Sequence, residues 1–486
     1  MQEVFDTTLG YAQRKDREDE LQSFRSRFYF PLKPGSPTGG SSSPATGASG
    51  PARVATPSPG PANASSRPDT SRQDTSHQEA SRADTSRPEA SQQNAPRPEA
   101  IYFCGNSLGL QPRDVESAIL QELKDWQDLA VGGYMQAKDP WLTYQEPFRA
   151  PLARIVGALP EEVTVMNALT VNLHLLLLSF YHPGPDRYKI IMEAGAFPSD
   201  QYAVETQVKW HGFAPEDAII EIAPRDGEKL IREEDILDAI QRHRDDLALV
   251  LFGGINYYTG QFFDIAAITT AAHQAGAFAG FDLAHVVGNI PIRLHDWDVD
   301  FAVWCSYKYL NGGPGAVGGA YIHQRYAHNP DHIRMGGWWG NDEAIRFKME
   351  KGFIPKPTAS GWNMSTNQVL NMTSLKASLR LFEEAGIERI RAKSMELTAY
   401  LSFLLRQLTN LRFSIITPAD PAKRGAQLSL FFEEHGKAIH QKMIEAGIIV
   451  DYREPGVIRV APAPLYNSFE DVHRFYHILA LFQSPS

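Results

Sequence analysis

In Asp300-Phe301-Ala302-Val303-Trp304-Cys305-Ser306-Tyr307-Lys308-Tyr309-Leu310-Asn311-Gly312-Gly313-Pro314-Gly315, an apolar run of strand length leads to a lysine set between two tyrosines and then to a glycine-rich turn. A lysine placed directly after a buried strand is costly to desolvate unless something uses its amine. Upstream, a second strand at residues 277–281 ends in Asp282, with His285 three residues later. Residues 188–192 and 247–252 read as further strands, and residues 199–211, 232–242 and 265–275 carry helical patterns between them. Apolar strands alternating with helices imply an α/β domain whose mostly parallel sheet is covered on both faces.

The rhythm changes beyond residue 374. A long helical run at 375–405 precedes strands at 412–416, 426–432, 448–452 and 457–460, with helices near 437–446 and from 469 onward. That clustering predicts a smaller C-terminal α+β domain over 375–486, beside a large domain over 101–374 whose first thirty residues or so pack on the small one. Residues 1–34 read as a helical N-terminal segment. Residues 35–100 are rich in Pro, Ser and Ala and nearly empty of large apolar side chains, and they fall into pentapeptides such as Ser66-Arg67-Pro68-Asp69-Thr70 and Ser71-Arg72-Gln73-Asp74-Thr75. A five-residue period suits neither helix nor strand, and burial there cannot offset the entropy of ordering, so a disordered insert is expected.

The formal net charge of -10 argues against nucleic acid or an anionic membrane surface as partner. The most apolar run, 173–180, is far shorter than the ~20 residues of a membrane span. The N-terminus lacks a basic start with an apolar core, and Cys104 and Cys305 are the two cysteines, with no metal-binding spacing. A cytoplasmic protein without a metal is expected.

In open α/β sheets, ligands gather at the carboxyl ends of strands. Burial lowers the pKa of an amine, which suits Lys308 to form a Schiff base with pyridoxal 5′-phosphate (PLP). The pyridine nitrogen of that cofactor needs a carboxylate, and Asp282, 26 residues before Lys308, can supply it. The segment Met166-Asn167-Ala168-Leu169-Thr170 before an apolar run reads as a helix start fit for a phosphate, with Thr170 as hydroxyl donor or merely as a cap. Phe197-Pro198-Ser199-Asp200 opens another helix and brings an aromatic face and a carboxylate to the same edge. Arg459, on a short strand, suits either a bidentate grip on an α-carboxylate or a structural salt bridge.

These residues resemble those of the kynureninase family, fold-type I PLP enzymes. The matching stretches are 103–110, 167–173, 196–202, 281–289, 305–311 and 459–468, so the resemblance spans residues 101–486 and part of the first 35. It implies hydrolysis of L-kynurenine or its 3-hydroxy form to an anthranilate and L-alanine, in tryptophan catabolism. It makes Lys308 the Schiff-base lysine and proton carrier, Asp282 the partner of the ring nitrogen, and Tyr307 the acid that protonates Cβ. Leu169, Thr170, Phe197, Pro198, Ser199, Asp200, His285 and Tyr307 become cofactor contacts, and Arg459, Ser107 and Tyr134 substrate contacts. Trp338 and Thr366 are implied to reach the site from the neighbouring subunit of a homodimer.

Gly253 stands where some members carry a serine. Tyr134 and Thr366 replace the His and Asn of members that prefer the 3-hydroxy substrate, which points to unsubstituted kynurenine. The rival readings are another fold-type I enzyme, an aminotransferase or a cysteine desulfurase, and a PLP-binding regulator. A desulfurase requires a mobile nucleophilic cysteine, and a regulator requires an attached partner module that the sequence does not show.

Overall fold

The computed structural model describes residues 5–33 and 99–482. The chain divides into two units, Met1–Pro34 with Glu99–Ser486, and Gly35–Pro98. The second, where the disordered insert is expected, lies outside the described residues.

A seven-stranded sheet organises the larger unit, in the spatial order Val163–Met166, Gly318–Ile322, Phe301–Cys305, Phe278–Asp282, Leu247–Gly253, Lys189–Glu193, Ile219–Ile222. Gly318–Ile322 runs antiparallel to both of its neighbours, and the other pairings are parallel. The β-branched and aromatic residues alternate between two cores, as the two-residue period of a strand demands. Ile191, Val250, Phe252, Phe281, Ala302 and Trp304 face one core, while Ile190, Leu249, Leu251, Phe301 and Val303 face the other.

The anticipated strands fall within about a residue of their expected bounds in this sheet. Val163–Met166, Ile219–Ile222 and Gly318–Ile322 were not anticipated. Gly318 and Gly319 disguise the last of these: a Cβ on Gly319 would meet the Trp304 ring at 2.2 Å, and one on Gly318 the Trp304 carbonyl oxygen at 2.9 Å. Glycine permits that close approach and leaves no strand-like side chain to read.

The smaller sheet, Asp451–Arg453, Val457–Val460, Leu428–Phe431, Ser414–Ile415, is antiparallel. The long helical run expected at 375–405 is two helices, Val369–Ala385 and Ile387–Leu405. Gly386 breaks it at φ 76°, a conformation that L side chains disfavour. The first helix packs into the large core through Leu375, Leu379 and Phe382, the second into the small core through Leu397, Leu401 and Leu404. The N-terminal helix Leu9–Glu18 joins the small core through Tyr11. Its Asp16 carboxylate accepts from the N–H groups of Phe469 (2.7 Å) and Glu470 (2.9 Å), capping the helix Phe469–Ala480. Ile101–Tyr102 pairs in parallel with Ile448–Ile449, also at the small core.

Glu99 and Ala100, read above as the end of the insert, belong to the fold. Glu99 bridges to Leu32, and the Ala100 N–H donates to the Pro31 carbonyl at 2.9 Å. Pro31 and Leu32 are thus paired with Ala100 and Glu99, which brings the two described flanks side by side. Closing a loop costs only about 0.6 kcal/mol per doubling of its length, so replacing residues 35–98 with a short Gly/Ser linker is expected to leave Tm equal or slightly raised. Calorimetry of the shortened chain checks this, and a fall of many degrees would show that the segment packs on the fold. Among the described residues no helix is long and apolar enough to cross a membrane.

Candidate active site

The carboxyl ends of neighbouring strands carry Glu193, Gly253, Asp282 and Cys305, and Lys308 follows three residues after the last. The Lys308 Nζ lies 3.0 Å from His285 Nε2, with the rings of Phe197 and Tyr307 at 5.8 and 5.9 Å. Burial, then the positive charge of Lys308, holds His285 well below its ordinary pKa, so the imidazole is neutral and accepts from the lysine. Burial raises the Tyr307 phenol, with the Cys305 thiol adding to it. The phenol stays protonated.

Asp200 sits in the first turn of the helix Pro198–Trp210, buried. Burial and the neighbouring Asp282 push it well above the carboxylate range, and its carboxyl donates to Asp282. Burial also raises Asp282, against the pull of Lys308, and its Oδ1 accepts from the Ala284 N–H at 2.7 Å. Glu193 is pushed to about 7, by burial first and then by Asp282 against a restraining bond from Asn256. Three buried carboxyl groups thus converge where Lys308 is the cation that acts on both aspartates. This excess of acceptors suits a cationic ring, and the Phe197 face beside Lys308 suits an aromatic one. PLP presents both features.

Its phosphate has a matching helix start. The helix Leu169–Phe180 begins after Ala168, which has no side-chain cap to offer. Thr170 is the second helical residue, so it is not the cap that a Thr before an apolar run suggests. Asn167, at φ 47°, is tied down by Asn172 Oδ1 at 3.0 Å and by the Gly318 N–H, which donates to its carbonyl at 2.7 Å. The first-turn N–H groups are therefore aimed and not internally capped. Ser199 stays within its own helix start, its hydroxyl 3.4 Å from Asp200 Oδ1.

Arg459 combines the two roles left open above. Its Nη2 donates to Asp451 Oδ2 at 2.6 Å and to Ser107 Oγ at 3.0 Å, and its Nη1 to the Tyr257 carbonyl at 2.9 Å. It is 2% exposed, yet its Nε and the Asp451 Oδ1 have no hydrogen-bond partner. A buried guanidinium N–H left unpaired is expensive and fits an anionic ligand. The ring of Tyr257 lies under the Arg459 guanidinium and meets Phe197 edge-on at 5.3 Å, which links the arginine to the lysine.

Tyr134, Trp338 and Thr366 form a second group. The Tyr134 hydroxyl is 3.4 Å from Thr366 Oγ1, and Tyr134 and Trp338 both pack on Trp339. None of the contacts above joins this group to Lys308, Asp282 or Arg459 within one chain. Trp338 and Thr366 are exposed, as are Phe347, Met349 and Ile354 nearby in sequence.

Sequence reading missed Glu193, Asn256 and Tyr257. The signals were a carboxylate at a strand end and the turn residues Asn256-Tyr257-Tyr258-Thr259-Gly260. The cysteines are poor nucleophiles: burial, then Asp451, pushes Cys104 to about 11, and burial raises Cys305. Glu162, His295 and His323 form the one group among the described residues with metal-ligand spacing. Its carboxylate oxygens already accept from the N–H groups of Leu159 (3.0 Å) and Gln324 (2.9 Å) and from His295, so it reads as a hydrogen-bond network.

Residues 390–479 match the family model described as Kynureninase C-terminal domain. The kynureninase of Myxococcus xanthus is 53% identical over 379 residues, 78% of this chain and 89% of the relative. That of Flavobacterium psychrophilum is 44% identical over 479 residues, 98% of each chain, and that of Nematostella vectensis 49% over 391 residues, 78% and 84%. Among solved structures, a C-DES mutant with glycine covalently linked to its PLP cofactor aligns with a TM-score of 0.68 at 18% identity, covering 79% of this chain and 97% of that one. A cysteine desulfurase from Thermococcus onnurineus gives 0.64 at 20% identity, covering 78% and 94%. The structures share the fold, whereas the relatives are 44–53% identical over most of both chains; the chain belongs to the kynureninase family.

Proposed function

We propose that this protein hydrolyses L-kynurenine, or its 3-hydroxy form, to anthranilate or 3-hydroxyanthranilate and L-alanine, using PLP held at Lys308. The observation that carries this reading is the buried Lys308 amine beside neutral His285 and the Asp200–Asp282 pair, linked through Phe197 and Tyr257 to an arginine with an unpaired N–H. Asp282, backed by the Asp200 proton, would face the ring nitrogen. Phe197 would cover the ring, and the first turn of Leu169–Phe180 with Thr170 would hold the phosphate. Bound PLP supplies the electron sink that stabilises charge at Cα and Cβ.

The protein's own groups do the rest. Arg459, oriented by Ser107 and Asp451, holds the α-carboxylate. Lys308, once displaced by the substrate amine, takes the Cα proton, and neutral His285 leaves its lone pair free to do so. Water adds to the γ-carbonyl, the Cβ–Cγ bond breaks, and the protonated Tyr307 phenol donates to Cβ. The protonated thiols of half-buried Cys104 and buried Cys305 weigh against desulfurase chemistry.

Tyr134, Trp338 and Thr366 complete the site from a second copy in a homodimer. The exposure of Trp338 and Thr366, with exposed Phe347, Met349 and Ile354 between them in sequence, supports this assembly. Unpaired cysteines support a cytoplasmic location. Purified protein is expected to release fluorescent anthranilate from kynurenine and to sediment as a dimer. A phenol at 134 and a small hydroxyl at 366 offer no imidazole or amide for a 3-hydroxyl group, so kcat/KM is expected to be higher for the unsubstituted substrate. A clear preference for the 3-hydroxy form would refute the specificity, and no turnover of either would refute the function.

A further inference from the structure

Glu193 is 3% exposed at the end of its strand, against Gly253 of the next strand. A Cβ at position 253 would meet Glu193 Oε1 at 2.5 Å, so the missing side chain makes room for this carboxylate. Asn256 Nδ2 donates to Glu193 Oε2 at 2.8 Å. The other end of that amide, Oδ1, accepts from the Tyr258 N–H (3.1 Å), the Thr259 N–H (2.9 Å) and the Thr259 hydroxyl (3.1 Å). The turn closes through the Gly260 N–H, which donates to the Asn256 carbonyl at 2.9 Å, with Gly260 at φ 78°.

Three successive carbonyls of this turn are gripped from the smaller sheet and its approach. The Tyr257 carbonyl accepts from Arg459 (2.9 Å) and Gln427 (3.1 Å), that of Tyr258 from Ser429 (2.7 Å), and that of Thr259 from Thr417 (2.6 Å). Ser429 lies opposite Arg459 in the strand register. The turn is thus bonded at one end to a carboxylate beside Asp282 and at the other to the guanidinium.

We propose that Glu193 and Asn256 are positioning residues, a strut that sets Arg459 at its working distance from the Asp200–Asp282 pair and so tunes carboxylate binding. Neither needs to touch substrate. The charged groups facing Glu193 are Asp200, Asp282 and, beyond them, Lys308. The strut rests on the reading of Arg459 as the carboxylate grip.

Two variants of the full-length holoenzyme test it, Asn256→Ser and Glu193→Gln. The probe is L-alanine, whose binding is read from the change it causes in the absorbance of bound cofactor, with kynurenine turnover measured alongside. Misplacing one charge-assisted contact weakens binding about tenfold to a hundredfold. Asn256→Ser is expected to raise the alanine dissociation constant and KM by that factor, with kcat and cofactor affinity changed less than about threefold. Glu193→Gln keeps an acceptor oxygen for Asn256, so it is expected to act in the same direction by less.

Unchanged alanine binding in both variants overturns the strut. So does a loss of cofactor affinity or thermal stability at constant KM, which is what a purely structural role gives. If wild type binds alanine but does not cleave kynurenine, the function proposed above fails while the strut is still tested.

Discussion

Lys308→Ala is expected to abolish turnover and the visible band of covalently held cofactor, while the chain still folds. The amine has no substitute in the site. His285 accepts from it at 3.0 Å, but an imidazole has no primary amine for the bond, and burial, which the substitution leaves in place, keeps it a weak base. Lys308 is the cation whose charge acts on both members of the Asp200–Asp282 pair. Losing a positioned general base alone costs about a hundredfold to ten-thousandfold in rate, and losing the covalent anchor adds to this. The substitution removes a charge from a site rich in carboxyl groups, and its folded state is expected to resist heat less well near neutral pH than wild type, since Asp282 then lacks its nearby cation. Spectra of the purified variant after PLP is added, with single-turnover kinetics, decide the matter. Retained turnover would end the assignment of this lysine.

The second large effect is expected at Asp282→Asn. The variant keeps the shape of the side chain and its acceptor for the Ala284 N–H, but it cannot carry negative charge. A charge-assisted bond contributes about 1.5–3 kcal/mol, so retention of the cofactor is expected to weaken by about tenfold to a hundredfold. Turnover is expected to fall further, because an unprotonated ring withdraws electrons less well. Asp200→Asn makes the contrast. Its amide can still donate to Asp282 in place of the carboxyl proton, so its loss is expected to be the smaller of the two. Spectroscopic titration of each variant with PLP, alongside kcat, compares them. Full activity in Asp282→Asn, or a greater loss in Asp200→Asn, would reassign the partner of the ring nitrogen.

Asp282 and Lys308 are both visible in the sequence, because one closes an apolar strand and the other follows three residues after the end of the next, at a buried edge that does not otherwise tolerate a charge. Asp282 and Lys308 announce themselves through local pattern: a short β-branched or aromatic run, then a charge, then glycine-rich or turn residues. The break at Gly386 was less legible. Helical periodicity continues on either side, and only the φ of 76° shows that the two halves face different cores. Gly318–Ile322 escaped notice because its two glycines are set by the Trp304 ring of the neighbouring strand, which is a long-range requirement.

The sequence by itself determined the alternation of strands and helices, the lysine and aspartate at successive strand ends, and the compositional break read at residues 35–100, two residues too long at its C-terminal end. Each follows from periodicity or composition within a few residues, where backbone sterics and burial act locally. The tertiary structure alone decided that Glu193 joins the Asp200–Asp282 pair, that Arg459 is braced by Asp451 and Ser107, and that Tyr134, Thr366 and Trp338 form a group of their own. Those facts depend on side chains brought together by sheet order across scores to hundreds of residues. Charge pairing and desolvation act through space, and a linear pattern holds no record of such distances.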